Sequence, residues 1–221
     1  DVCSSDLIVF HGQNASNFRQ GFEELLQGPH QVIDVSDGLQ AAGERLAYEN
    51  ADVIVGIKLD ASLPRPQRLR LYHAPAAGTD MIDASLLPAG SALCNCFGHE
   101  DAIAEYVMAA LLQRHVPIAT ADADLRQQRW TYWAGRPNAL RTELGAQTLG
   151  VLGFGHIGKT LAQRAKAFGM RVHAANRSAV NSPLVDQSFG LDQLEAFMGS
   201  VDAVVVTLPL TAQTQGLVGA R

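Results

Sequence analysis

The stretch TLGVLGFGHIGKT, Thr148 to Thr160, decides how the rest of the chain is read. Its last eight residues, Gly153 to Thr160, satisfy two phosphate-binding patterns at once. One is G-x-G-x-x-G, the glycine turn of a dinucleotide site; the other is G-x-x-x-x-G-K-[ST], a P-loop for ATP or GTP. A P-loop uses Lys159 to grip the outer phosphates, Thr160 to ligate Mg²⁺, and a carboxylate at the tip of a later strand to hold that metal. The strong strand pattern downstream, VDAVVVTLP, ends at Thr207 with no carboxylate at its tip. A dinucleotide turn needs a strand before it, a helix after it, and a second strand whose end meets the adenosine ribose. TLGVL, then HIGKTLAQRAKAF closed by Gly169, then MRVHAAN supply all three. In that reading Gly153 permits the tight turn, Gly155 lets backbone approach a pyrophosphate, and Gly158 lets the helix pack on the strand. Lys159 then points to solvent, and the helix amino terminus offers its unpaired N–H groups and partial positive charge to the phosphates.

Working outward, the first half alternates short apolar runs with amphipathic stretches. Residues 7–10 (LIVF), 31–35 (QVIDV), 52–57 (DVIVGI), 69–73 (LRLYH) and 92–95 (ALCN) read as buried parallel strands. Residues 16–27 and 38–47 read as the helices between them, which predicts a βαβ rhythm. Residues 99–115 form the strongest helix pattern, with Ile103, Tyr106, Val107, Ala110 and Leu111 on one stripe and acidic residues in the first turn. A second helix follows through 121–130, and a second set of strands starts at Thr148. The expected architecture is α/β, two doubly wound parallel-sheet domains joined near residue 98. They are a flavodoxin-like domain over 7–97 and a truncated Rossmann dinucleotide-binding domain over 98–221.

Composition narrows the function. With 221 residues, 47% of them hydrophobic and 18% charged, the chain can bury a sizeable core. A net charge of -5 leaves no basic surplus for a nucleic-acid backbone. No apolar run approaches the ~20 residues that span a bilayer, and no signal peptide is visible, so a cytoplasmic protein without membrane attachment is expected. Three cysteines make no disulfide framework. There is no initiator Met, DVCSSDL at the start resembles a translated sequencing adapter, and LVGAR closes the chain directly after a strand-like run. A fragment is the expectation.

The end of the second strand distinguishes cofactors. An NAD site usually carries Asp or Glu there to accept from the ribose 2′-OH. This chain has Asn176, Arg177 and Ser178 instead. An amide, a guanidinium and a hydroxyl can each donate to a 2′-phosphate, which a carboxylate would repel. NADP is therefore the preferred cofactor, with NAD as the alternative.

Four segments, AGTDMID (77–83), NCFGHEDAIAEYVMAALL (95–112), the 148–178 region just described and PLTAQTQGLVGA (209–220), resemble the D-isomer-specific 2-hydroxyacid dehydrogenases. Within that family the resemblance points to glyoxylate and hydroxypyruvate reductases or to phosphoglycerate dehydrogenases. The resemblance implies a substrate domain, a nucleotide domain, and hydride transfer between the nicotinamide and C2 of a small 2-keto or 2-hydroxy acid. It places the substrate carboxylate on the backbone of Ala77 and Gly78. The pyrophosphate falls on Phe154, His156 and Ile157 together with the three glycines. Asn176, Arg177 and Ser178 come at the ribose, Thr207, Leu208, Pro209 and Thr214 beside the adenine and ribose, and Val107 near the nicotinamide. It also implies a homodimer of the full-length parent, through the long helix from His99. The family's substrate arginine, acidic residue and general-acid histidine fall beyond Arg221, so none of the seven histidines is assigned a catalytic role.

Two other features point elsewhere. Cys94, Cys96 and His99 form a C-x-C-x-x-H cluster, but a closed zinc site normally needs four ligands, so no metal is expected. Trp130 and Trp133 read as packing residues near the domain junction. Corepressors of the C-terminal-binding-protein type share the fold and are the alternative from another class; that alternative expects a carboxylate at position 176.

Overall fold

The computed structural model describes residues 5–133, 135 and 142–219. The chain divides into two compact units, Asp1–Phe97 with Leu210–Arg221, and Gly98–Pro209.

In the first unit, β1 (Leu7–His11), β2 (Gln31–Val35), β3 (Val53–Val55), β4 (Leu71–His73) and β5 (Ala92–Cys94) form one sheet. All pairings are parallel, in the order β2-β1-β3-β4-β5. This is the flavodoxin-like order expected from the sequence. Alternate residues of β1 serve opposite faces: Val9 packs with Val35, Ile54 and Tyr72, while Ile8 and Phe10 pack with Ala15 and Val55. That alternation is what two covered faces require. Asp52 ties the start of β1 to β3, since its carboxylate accepts from the Leu7 N–H at 3.0 Å.

The helices of this unit are shorter than the sequence pattern suggests. Helix α1 covers only Gly12–Ser16, and the expected helix at 16–27 is a series of turns with a 3-10 turn at Glu23–Leu25. Gly21, at φ +78°, interrupts it. The expected helix at 38–47 starts late, as α2 (Glu44–Glu49), because Gly43 is left-handed at φ +85°. Glycine supplies that conformation without the Cβ clash any other residue would meet. Strand β5 is also less buried than its apolar letters imply, with Ala92 and Cys94 exposed on the edge of the sheet.

The second unit opens with α3 (Glu100–His115) and α4 (Ile118–Arg126). Its sheet contains β6 (Thr148–Leu152), β7 (Arg171–Asn176), β8 (Gln187–Gly190) and β9 (Ala203–Val206), with α5 (His156–Ala167) and α6 (Leu194–Gly199) between strands. The order is β8-β7-β6-β9, all parallel, the arrangement of the first mononucleotide half of a dinucleotide fold. Strand β6 is buried at every position. Leu149 and Val151 pack with α3 and α5, and Leu152 packs with Phe197 on the other face. Each such side chain contributes roughly 1.5–3 kcal/mol by leaving water.

Four expectations change here. Strand β8 escaped detection because its sequence, QSFG, buries only Phe189. The buried face of α3 is centred on Ala104 and Met108, with Val107 and Leu111 beside them, while Tyr106 and Ala110 are exposed. The cause is close packing of small residues: Ala104 meets Leu161, Ala162 and Ala165 of α5, and a stripe drawn through large apolar letters overlooks alanine. The helix expected at 121–130 runs instead over Ile118–Arg126 and ends before Gln128, at φ +57°. Trp130 is 71% exposed and Trp133 49%, so neither is the packing residue expected.

Candidate functional site

The turn between β6 and α5 is three residues long, Gly153 to Gly155. Gly153 is left-handed at φ +100°, and its N–H donates to Ala175 O at 2.8 Å. A Cβ on Gly153 would meet Leu208 N at 2.8 Å and Thr207 C at 2.9 Å. One on Gly158 would be driven into the carbonyl oxygen of Gly153 and reach Val151 Cγ1 at 3.0 Å. Both glycines are therefore demanded by the packing of the fold itself. Gly155 is different: its backbone is extended at φ -84°, ψ -155°, and an added Cβ would meet nothing within 4 Å. No described residue explains why position 155 is glycine, and open space over a helix amino terminus is what a pyrophosphate requires.

The donors fit the same group. The first bond of α5 runs from the Lys159 N–H to Gly155 O. Among the described residues the N–H groups of Gly155, Ile157 and Gly158 have no acceptor, and they sit where the helix dipole is positive. Lys159 is exposed, and Gly158 already lies inside the helix. A P-loop needs a wrapped loop across all the residues between its two glycines; a three-residue turn cannot make one. The ATPase pattern in GFGHIGKT is thus a coincidence of letters on a surface helix.

Two strand ends flank the turn. At the tip of β7, Asn176 accepts from the Phe154 N–H at 3.4 Å and donates to Ser178 O at 3.3 Å. Arg177 and Ser178 are exposed, and no described residue forms a hydrogen bond or ion pair with the Arg177 side chain. Just past β9, Thr207 donates its hydroxyl to Gly153 O at 2.6 Å. Leu208 packs beside Phe197, and Pro209 is exposed. His156 is exposed on the first turn of α5, and Glu100 stands at the start of α3. The carboxyl of Glu100 is held below its usual range, first by its own backbone N–H and also by that of Gly98.

The structure therefore brings Gly153 to Gly158, Asn176 to Ser178 and Thr207 to Pro209 to one edge of one sheet, the carboxyl edge, where open α/β sheets bind ligands. Val107 is half-buried in the packing of α3 on the sheet. Thr214 lies in the segment grouped with the first unit, where its hydroxyl accepts from the Thr211 N–H at 2.8 Å. Ala77 and Gly78 follow β4. Asn95 holds that loop by donating to Ala77 O at 2.8 Å, and the N–H groups of Ala77 and Gly78 have no acceptor among the described residues. A cavity of about 480 Å³ lined by Leu111, Arg114, His115, Met170 and Asp202 lies at the opposite, amino edge of the second sheet. It holds none of the expected site residues. Cys94 and Cys96 are free thiols, and no group of three or more potential metal ligands converges among the described residues.

Residues 108–221 match the model of the D-isomer specific 2-hydroxyacid dehydrogenase NAD binding domain. The D-3-phosphoglycerate dehydrogenase of Bacillus subtilis is 34% identical over 112 residues, covering 51% of this chain and 20% of that protein. The glyoxylate reductase of Aeropyrum pernix is 32% identical over 166 residues, covering 71% of this chain and 48% of that protein. The chain thus spans less than half the length of these two relatives. A D-isomer specific 2-hydroxyacid dehydrogenase from Xanthobacter autotrophicus, solved with NADPH and MES, superposes with a TM-score of 0.72 at 24% identity. That superposition covers 97% of this chain and 67% of the other.

Proposed function

Because this chain belongs to the D-isomer specific 2-hydroxyacid dehydrogenase family, we propose that its second unit holds NAD(P)H at the Gly153–Gly158 turn for reduction of a small 2-keto acid. Glyoxylate and hydroxypyruvate are the leading substrates. The observation that carries this is Gly155, a glycine the fold does not need, placed over unpaired helix N–H groups. Residues 7–97 serve as the substrate domain and 98–221 as the nucleotide domain.

The bound nucleotide supplies a hydride to C2 of the substrate. The residues of this chain bind and orient. The N–H groups of Gly155, Ile157 and Gly158 take the pyrophosphate, and Ala77 and Gly78 offer theirs to the substrate carboxylate, as a small-residue turn can without a buried countercharge. At the tip of β7, Arg177 and Ser178 face solvent with no carboxylate among residues 176–178, which supports NADPH over NADH. The exposed apolar side chains Tyr106, Ile118 and Leu125 on α3 and α4 support a homodimer, whose mass light scattering would read. A cytoplasmic enzyme is the setting proposed; no helix among the described residues is long and apolar enough to cross a membrane.

Fluorescence titration of the chain with NADPH and with NADH tests the binding role. Both should bind, NADPH more tightly. Binding of Mg-ATP with no response to either dinucleotide would overturn the proposal.

A further inference from the structure

We infer that Thr207 and Asn176 are positioning residues that clamp the glycine turn from its two sides, rather than contacts to the adenosine. This rests on the dinucleotide role proposed above and refines it. The turn projects from β6, the central strand, and each neighbouring strand sends one side chain back to it. From the end of β9 the Thr207 hydroxyl donates to Gly153 O at 2.6 Å, while the Thr207 backbone N–H is engaged with Leu152 O at 2.8 Å. With its proton committed to Gly153, that hydroxyl has no donor left for a ribose. From the end of β7, Asn176 uses its carbonyl on the Phe154 N–H and its amide on Ser178 O. The second bond ties the turn to the segment that carries Arg177.

The packing explains why such clamps are needed. Gly153 O lies against Gly158, and the Gly153 backbone lies against Thr207 and Leu208 so closely that no Cβ fits. Three backbones meet at Gly153 with no side chain between them, and the turn's apolar anchor is the Phe154 side chain in the core, which does not by itself fix the peptide planes on either side of it. The carbonyl of Gly153 and the N–H of Phe154 take their partners from side chains instead. Losing either bond lets the peptide planes rotate, and the neighbouring N–H groups of Gly155 and Ile157 no longer converge on one anion.

The test is a set of substitutions in the full chain with two readouts. Thr207→Val keeps the shape and removes the hydroxyl; Thr207→Ser keeps the hydroxyl. Deleting one buried hydrogen-bond partner corresponds to about a tenfold change in an equilibrium constant. Thr207→Val should therefore weaken NADPH and NADH alike by about tenfold, with Thr207→Ser returning to within about twofold of the parent. Asn176→Ala should likewise weaken both cofactors. In the ligand-free chain, Thr207→Val should speed hydrogen exchange of the hydrogen-bonded amides of Gly153, Phe154 and Lys159 while leaving those of β6 and β7 unchanged. Unchanged exchange, a loss confined to one cofactor, or no rescue by Thr207→Ser overturns the clamp. If the parent binds neither dinucleotide but exchange still rises in Thr207→Val, the clamp stands and the cofactor role falls.

Discussion

Gly158→Ala is expected to lower the stability of the second unit by about 2 kcal/mol and to abolish dinucleotide binding, while Gly155→Ala leaves stability unchanged and loses binding alone. Two effects compete at Gly158. Alanine is the better helix former by roughly 1 kcal/mol, but its Cβ would be forced into the carbonyl oxygen of Gly153. That oxygen is held in place by the Thr207 hydroxyl at 2.6 Å, so the strand and helix must separate. Overpacking of this kind costs about 1–3 kcal/mol and sometimes more, and here it displaces backbone rather than the end of a flexible side chain, so the clash wins. At Gly155 the balance is reversed: the extended backbone suits any residue and the added methyl meets no protein atom. A methyl there occupies the approach to the helix N–H groups, and affinity should fall by more than about tenfold, a loss of roughly 1.4 kcal/mol. Urea midpoints and NADPH titrations of the two variants read both quantities. An alanine at 155 that binds like the parent would mean the open space serves no ligand.

Arg177→Asp should invert the cofactor preference. A charge-assisted hydrogen bond contributes roughly 1.5–3 kcal/mol, and the substitution replaces it with repulsion of the 2′-phosphate. The new carboxylate can also accept from the free 2′-OH of NADH. The ratio of NADPH to NADH dissociation constants should rise by at least about a hundredfold. Stability should not change, because the side chain is exposed and the described residues hold no ion pair with it. The NADPH affinity of the parent should weaken with added salt more than its NADH affinity does, as expected for an exposed charge pair. A preference that survives the substitution would place the 2′-phosphate elsewhere.

Much of this was legible in the letters. The central strands were readable because LIVF and TLGVL are continuous apolar runs, the mark of strands covered on both faces. The glycine turn was readable because backbone approach is a demand that only glycine meets, and it leaves a fixed spacing. Edge elements were harder. QSFG buries one side chain, and no pattern distinguishes it from a loop. The short helices after β1 and β2 were overestimated because amphipathic spacing ran through Gly21 and Gly43, whose left-handed backbone stops a helix.

By itself the sequence determined the two parallel sheets, the glycine turn and the absence of a carboxylate at the ribose position, since each depends on residues adjacent in the chain or on simple periodicity. Only the tertiary structure decided which face of α3 is buried and how that turn is held. Thr207 reaches Gly153 across 54 residues and Asn176 reaches Phe154 across 22. Those bonds form because parallel pairing places the carboxyl ends of β7, β6 and β9 side by side, and no local pattern in a chain records which strand ends become neighbours.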